Sequence, residues 1–197
     1  MAWIRETVRS LLRDRLLDTA HDLVAAEGFD RLRMTQVAAA AGVSRQTVYN
    51  EFGSKDALGE ALFNRELEYC LTGIREQLDA HRADPHAAAG AAVLFTLRLA
   101  GRNPLVKAML TSARDGDGGL LSYLTVRAEP AFATASAMLD DYAARTWPAI
   151  GPAERELAVE TAVRLTASHL VQPSAEPEET ARRIAEVFAR VALLGPA

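Results

Sequence analysis

One short stretch of the chain concentrates side chains that can read or grip a polar partner. Arg45, Gln46, Thr47, Tyr49, Asn50 and Lys55 follow closely on a glycine, Gly42. Arginine can pair with a guanine edge, glutamine or asparagine with adenine, and the threonine methyl or hydroxyl with either kind of groove feature. A helix that only had to be soluble would show Glu and Lys instead. Tyr49 can offer its hydroxyl to a phosphate and Lys55 its ammonium. Thr35 can offer a hydroxyl at a helix start, where open backbone amides also favour an anion. Ser44 can do the same, and helix capping alone also explains it.

Helical elements must position these groups. Ile4, Val8, Leu12, Leu16, Ala20, Leu23 and Val24 recur at steps of four and three, which predicts one apolar helix face running to Gly28. Thr35 is the expected N-cap of a second, short helix through Ala41. Gly42 supplies the left-handed turn that only glycine adopts cheaply. Ser44 then caps a third helix, Arg45 to Phe52, and Ser54 caps a fourth from Lys55 to about Leu78. Val37, Ala38, Ala41, Val43, Val48 and Phe52 are small or apolar, as the inward faces of two closely crossing helices must be. Helix, glycine turn, helix is the arrangement of a helix-turn-helix, whose second helix reads a major groove.

Downstream the pattern stays helical. Helices are expected over roughly His86–Ala100, opened by Pro85, and Pro104–Ala113. A longer one spans Leu120–Trp147, kinked or split at Pro130. Two more are expected, at about 153–170 and from Pro177 to about 194, the latter with Glu178 and Glu179 in its first turn. No strand pattern competes. The expected fold is all-α: an N-terminal three-helix helix-turn-helix domain over 1–53 and a helical ligand-binding and dimerisation bundle over 54–197.

The stretch from Arg15 to Leu58 resembles the DNA-binding domain of the TetR family of bacterial transcriptional regulators. The matching elements are "AAEGF", "TQVAAAAGVS", the Tyr and Phe of "VYNEF" and the Lys of "GSKDAL". "SHLVQPSAEPEETARRIAEVFARV" resembles the paired final helices through which such proteins dimerise. The resemblance implies a homodimer that places two recognition helices about 34–36 Å apart, in successive major grooves of a near-palindromic double-stranded operator. It further implies a repressor released when a small molecule favours the wide-spaced state. One departure is the extension before Arg15, about three helical turns carrying Trp3, Arg5 and Arg9. DNA backbone contact and a plain solvated helix end both remain open for it.

Composition bounds the rest. A chain of 197 residues with 49% apolar and 24% charged residues has the balance of a globular protein. The net charge of −4 is a poor test for nucleic-acid binding when one face can be basic on an acidic body. Residues 1–55 hold eight basic and seven acidic side chains, so the acidic excess lies downstream. One cysteine, Cys70, rules out an intrachain disulfide, and no run reaches membrane-span length, so the reading is a cytoplasmic protein.

No catalytic chemistry is legible. "DGDGG" at 115–119 lacks the sixth-position glycine and the twelfth-position carboxylate of a calcium loop, and the four histidines have no metal spacing. No metal, cofactor or nucleophile–base set is implied. The helical body offers Phe95, Met109, Tyr123 and Phe132 as candidate lining for a largely apolar effector. The rival reading is a helical small-molecule binding or interaction protein whose helix-turn-helix does not touch DNA.

Overall fold

A computed structural model describes residues 2–103, Val106 and 129–194. Among them every regular element is an α-helix: α1 (Ala2–Glu27), α2 (Met34–Ala41), α3 (Arg45–Phe52), α4 (Lys55–Ala80), α5 (Pro85–Arg102), α6 (Glu129–Thr146), α7 (Pro152–Val171) and α8 (Pro177–Leu194). The all-helical expectation therefore holds. The described chain divides into two compact units, residues 2–66 with Asn103 and Val106, and residues 67–102 with 129–194.

In the first unit α1 contributes Leu16, Leu17, Ala20 and Val24 to one core. Phe29 and Leu32 fold back from the connection that follows it, and Met34, Val37, Ala38 and Ala41 come from α2. Val48 and Phe52 of α3 and Leu58 and Leu62 of α4 complete it. Each large aliphatic group so covered stabilises the unit by about 1.5–3 kcal/mol. The alanines keep α2 thin enough for α3 to cross it closely.

Two sequence expectations need correcting. The apolar face of α1 is not buried along its length: Ile4 and Val8 are exposed, as are Trp3 and Leu11. The core begins only at Leu12, because α1 outruns the other helices of its unit. Nor is Thr35 an N-cap. Arg33 holds that place with extended backbone, φ −123° and ψ 140°. Gln36, three residues on, accepts the Arg33 N–H at 2.8 Å, so its amide does the capping and Thr35 lies within the first turn.

The second unit is built on α5, against which α4, α7 and α8 pack. Leu71, Ile74 and Leu78 of α4 meet Ala88 and Ala92 of α5 and Met138 of α6. Val93 and Leu97 meet Ala181 and Ile184 of α8. Ala158 and Val159 of α7 share a further core with Ala185, Phe188 and Ala192. Small residues again set the spacing: a Cβ added at Gly73 would collide with the Phe95 ring.

Helix starts follow their sequence signals. Asp84 accepts the His86 and Ala87 amides at 2.9 and 3.2 Å, with Pro85 as first helical residue. Pro130 lies at the edge of the described residues, and the kink or split expected there involves residues outside them. The expected helix over Pro104–Ala113, the "DGDGG" loop, Met109 and Tyr123 lie outside the described residues, Val106 excepted.

Candidate nucleic-acid interface

The turn between α2 and α3 decides which side chains face outward. Gly42 has φ +68° and ψ 33°, and the Val43 amide returns to the Ala38 carbonyl at 2.9 Å. That closes α2 with a left-handed residue and sends the chain straight into α3. Ser44 caps α3: its Oγ accepts from the Thr47 amide at 3.1 Å and also meets the Thr47 hydroxyl at 2.8 Å. Val48 and Phe52 anchor the helix inward. With α3 only eight residues long, those two anchors fix its roll, and Arg45, Gln46 and Asn50 are left exposed while Thr47 and Tyr49 are half-buried.

The outward residues are paired one helical turn apart. The Arg45 guanidinium carbon lies 5.0 Å from the centre of the Tyr49 ring, and its Nη2 is 3.4 Å from the hydroxyl. Gln46 Nε2 donates to Asn50 Oδ1 at 2.8 Å. Such i,i+4 couples hold long side chains in one conformation on the exposed face, which lowers the ordering cost of binding. Gln46 keeps its carbonyl and Asn50 its amide for another partner, the donor and acceptor set that an adenine edge requires.

The remaining candidates are dispersed around this helix. Lys55, at the start of α4, donates from Nζ to the Asp30 carbonyl at 2.9 Å, and the same nitrogen sits 4.8 Å from the centre of the Phe29 ring. Its ammonium therefore stays close to the connection between α1 and α2, with two of its three donors beyond that bond. Thr35 is exposed in the first turn of α2, and Ser44 is exposed at the start of α3. In the second unit Phe95 is half-buried against Gly73. Phe132 lines a separate concavity of about 360 Å³ between α6 and α7, whose walls also carry Val159, Val163 and the charged Asp140, Glu156, Glu160 and Arg164. Phe95 and Phe132 are not brought together by these contacts.

Sequence reasoning passed over Glu51. Its carboxylate accepts from Arg9 Nε and from Arg13 Nη1, each at 3.0 Å, across separations of 42 and 38 residues. Partners so far apart in sequence leave no local signal. Among the described residues there is no cluster of His, Cys, Asp and Glu able to hold a metal, and no helix long and apolar enough to cross a membrane.

Comparison with known proteins adds independent findings. Residues 16–62 match the family described as bacterial regulatory proteins of the tetR family, and residues 84–190 match the bacterial tetracyclin repressor C-terminal domain. The chain is 30% identical over 183 residues to the HTH-type transcriptional regulator AlkX of Mycobacterium tuberculosis strain H37Rv, covering 93% of this chain and 86% of that protein. The crystal structure of the TetR family repressor AlkX from Dietzia sp. strain DQ12-45-1b, implicated in biodegradation of n-alkanes, is also similar. It superposes with a TM-score of 0.72 at 28% identity, covering 90% of this chain and 92% of that one. The multidrug binding protein EbrR, complexed with imidazole, superposes with a TM-score of 0.61 at 25% identity over 94% and 96% of the two chains.

Proposed function

Because this chain belongs to the TetR family of bacterial regulatory proteins and is a DNA-binding transcriptional regulator, we propose that it is a repressor that grips a near-palindromic operator as a homodimer and lets go when a small molecule binds. Regulators of this family bind DNA, act as dimers with small-molecule effectors, and are not enzymes. Residues 1–53 are the reading head and 54–197 the effector-binding and dimerising body, working in the cytoplasm where the DNA is.

One observation carries the reading. Arg45, Gln46 and Asn50 stand exposed and mutually ordered on a helix whose roll Val48 and Phe52 set. In the proposed complex α3 lies in the major groove, with Arg45, Gln46, Thr47 and Asn50 reading base edges. Tyr49, Lys55, Thr35 and Ser44 hold backbone phosphates, which fix the register without reading sequence.

Dimerisation is assigned to the last two helices. Leu157 and Val171 on α7 and Leu193 on α8 are 56%, 41% and 55% exposed, an apolar surface that a partner would cover. The effector is assigned to the class of largely apolar, hydrocarbon-like molecules. Phe95, Met109, Tyr123 and Phe132 are its candidate contacts, although the described contacts do not bring Phe95 and Phe132 together. The Dietzia repressor's implication in n-alkane biodegradation supports that class.

The test is to select fragments from randomised and genomic DNA with the purified protein and sequence what is retained. A near-palindromic site enriched above background supports a dimeric reader. Folded, dimeric protein that enriches nothing removes the operator reading.

A further inference from the structure

The first turns of α1 are not held by burial. Trp3, Ile4, Val8 and Leu11 are 75%, 57%, 59% and 65% exposed, so hydrophobic packing does not explain why the helix runs on past its unit's core. What does tie this extension down is a charged contact with the recognition helix. Glu51, near the end of α3, has a side chain only 8% exposed, and each of its carboxylate oxygens takes one guanidinium. Arg9 binds Oε2 while its own side chain stays 70% exposed. Arg13 binds Oε1, is 42% exposed, and has its guanidinium carbon 4.8 Å from the centre of the Phe52 ring.

The electrical sign of this cluster matters because of where it sits. Glu51 is four residues beyond Thr47, so it shares a flank of α3 with a candidate base-reading position. A helix with its side chains is about 10–12 Å across, and the major groove is about 12 Å wide. A recognition helix therefore fills the groove, and a group on its flank meets the phosphate rim. A lone carboxylate there would repel the backbone. Two arginines against one glutamate turn that flank from one negative charge to one positive charge. Arg9 engages Glu51 through Nε, and a guanidinium carries five N–H donors in all.

We propose that Arg9 and Arg13, seated on Glu51, form a binding site for one DNA backbone phosphate beside α3, which makes the N-terminal extension part of the DNA interface. Glu51 is the positioning residue that aims the pair. The inference rests on the reading of α3 as the recognition helix.

The experiment uses the full-length protein and a mixed-sequence duplex long enough for two half-sites, with affinity measured over a range of salt concentrations. Each neutralised phosphate contributes about 0.9 to the slope of log affinity against log salt. Arg9→Gln is expected to flatten the slope by about two such units, one for each protomer of the bound dimer, and to weaken binding. Arg9→Lys should restore the slope, and the thermal midpoints of both variants should match the parent, since Arg9 is exposed. Unchanged slope and affinity in Arg9→Gln would leave only a solvated ion pair and overturn the inference. So would weaker binding at an unchanged slope, which would mean that the extension merely tilts α3. A parent protein whose affinity is flat with salt would instead remove the DNA reading itself, so the two failures are distinguishable.

Discussion

Gly59, in the interior of α4, sets two opposing effects against each other. Alanine is favoured over glycine within a helix by about 0.5–1 kcal/mol, so Gly59→Ala on an open helix face would stabilise the protein. Here the added Cβ would lie 2.6 Å from Phe29 Cζ and 2.9 Å from Cε2. Carbon atoms pack at about 3.5–4.0 Å, so the ring must retreat by roughly 1 Å. Phe29 has little room to do so: it is 4% exposed, its ring is rigid, and the Lys55 ammonium lies against it. Overpacking of this kind costs about 1–3 kcal/mol, which outweighs the helix preference and leaves a net loss of about 1–2 kcal/mol. For a chain of this size that is a fall in thermal midpoint of about 2–8 °C. Thermal unfolding monitored by circular dichroism is the assay, with Gly101→Ala as the control. Among the described residues nothing lies within 4 Å of a Cβ at Gly101, so that variant should be neutral or slightly more stable. In a Phe29→Leu background, which removes the ring tip, Gly59→Ala should turn neutral or stabilising. If Gly59→Ala alone raised the midpoint as Gly101→Ala does, Phe29 would not be seated against α4 and the packing argument would fail.

Three further outcomes are expected. Gln46→Ala should relax sequence preference, at about 1–3 kcal/mol for a lost bidentate base contact. Because Gln46 and Asn50 are joined at 2.8 Å, its effect should not add to that of Asn50→Ala. Affinities on selected and mixed DNA measure this, and an equal loss on both would sink the base-reading role. Gly42→Ala should destabilise by about 1–2 kcal/mol through backbone strain alone, since the nearest atom to the added Cβ is 3.6 Å away. Gly42→Asn should cost less because asparagine tolerates the left-handed region, so equal thermal midpoints for both variants and the parent would contradict the turn geometry. Finally, the Arg182 and Arg183 guanidinium groups hold the Glu179 carboxyl down to about 2, against an ordinary 4.5. A depressed folded value adds stability above 4.5 that is lost as pH falls toward 2, so Glu179→Gln should make the acid limb of a pH–stability curve shallower over that window. An unchanged limb would show that these exposed pairs are screened into irrelevance.

Much of this protein was legible residue by residue. The helices, the turn at Gly42, the cap at Ser44 and the outward set on α3 follow from interactions reaching no more than about four residues along the chain, and such interactions are written in sequence order. The same short reach explains where reading failed. Thr35 looked like the cap because its side-chain type is right, yet the backbone at Arg33 and the amide of Gln36 had already started the helix. Ile4 and Val8 continue the apolar period of α1, but a period states which residues share a face and not whether anything covers it. Lys55 offers its ammonium at the start of α4, and where that ammonium sits, against Phe29 and the Asp30 carbonyl, is set by contacts 26 and 25 residues away in sequence. Nothing in the local sequence marks Glu51, and only the crossing of α1 and α3 puts two arginines on it. Which helices form, and which of their faces are apolar, is local chemistry and belongs to the sequence. Which of those faces is covered, and which distant charges meet, depends on how helices of unequal length cross, and only the packed tertiary structure decides that.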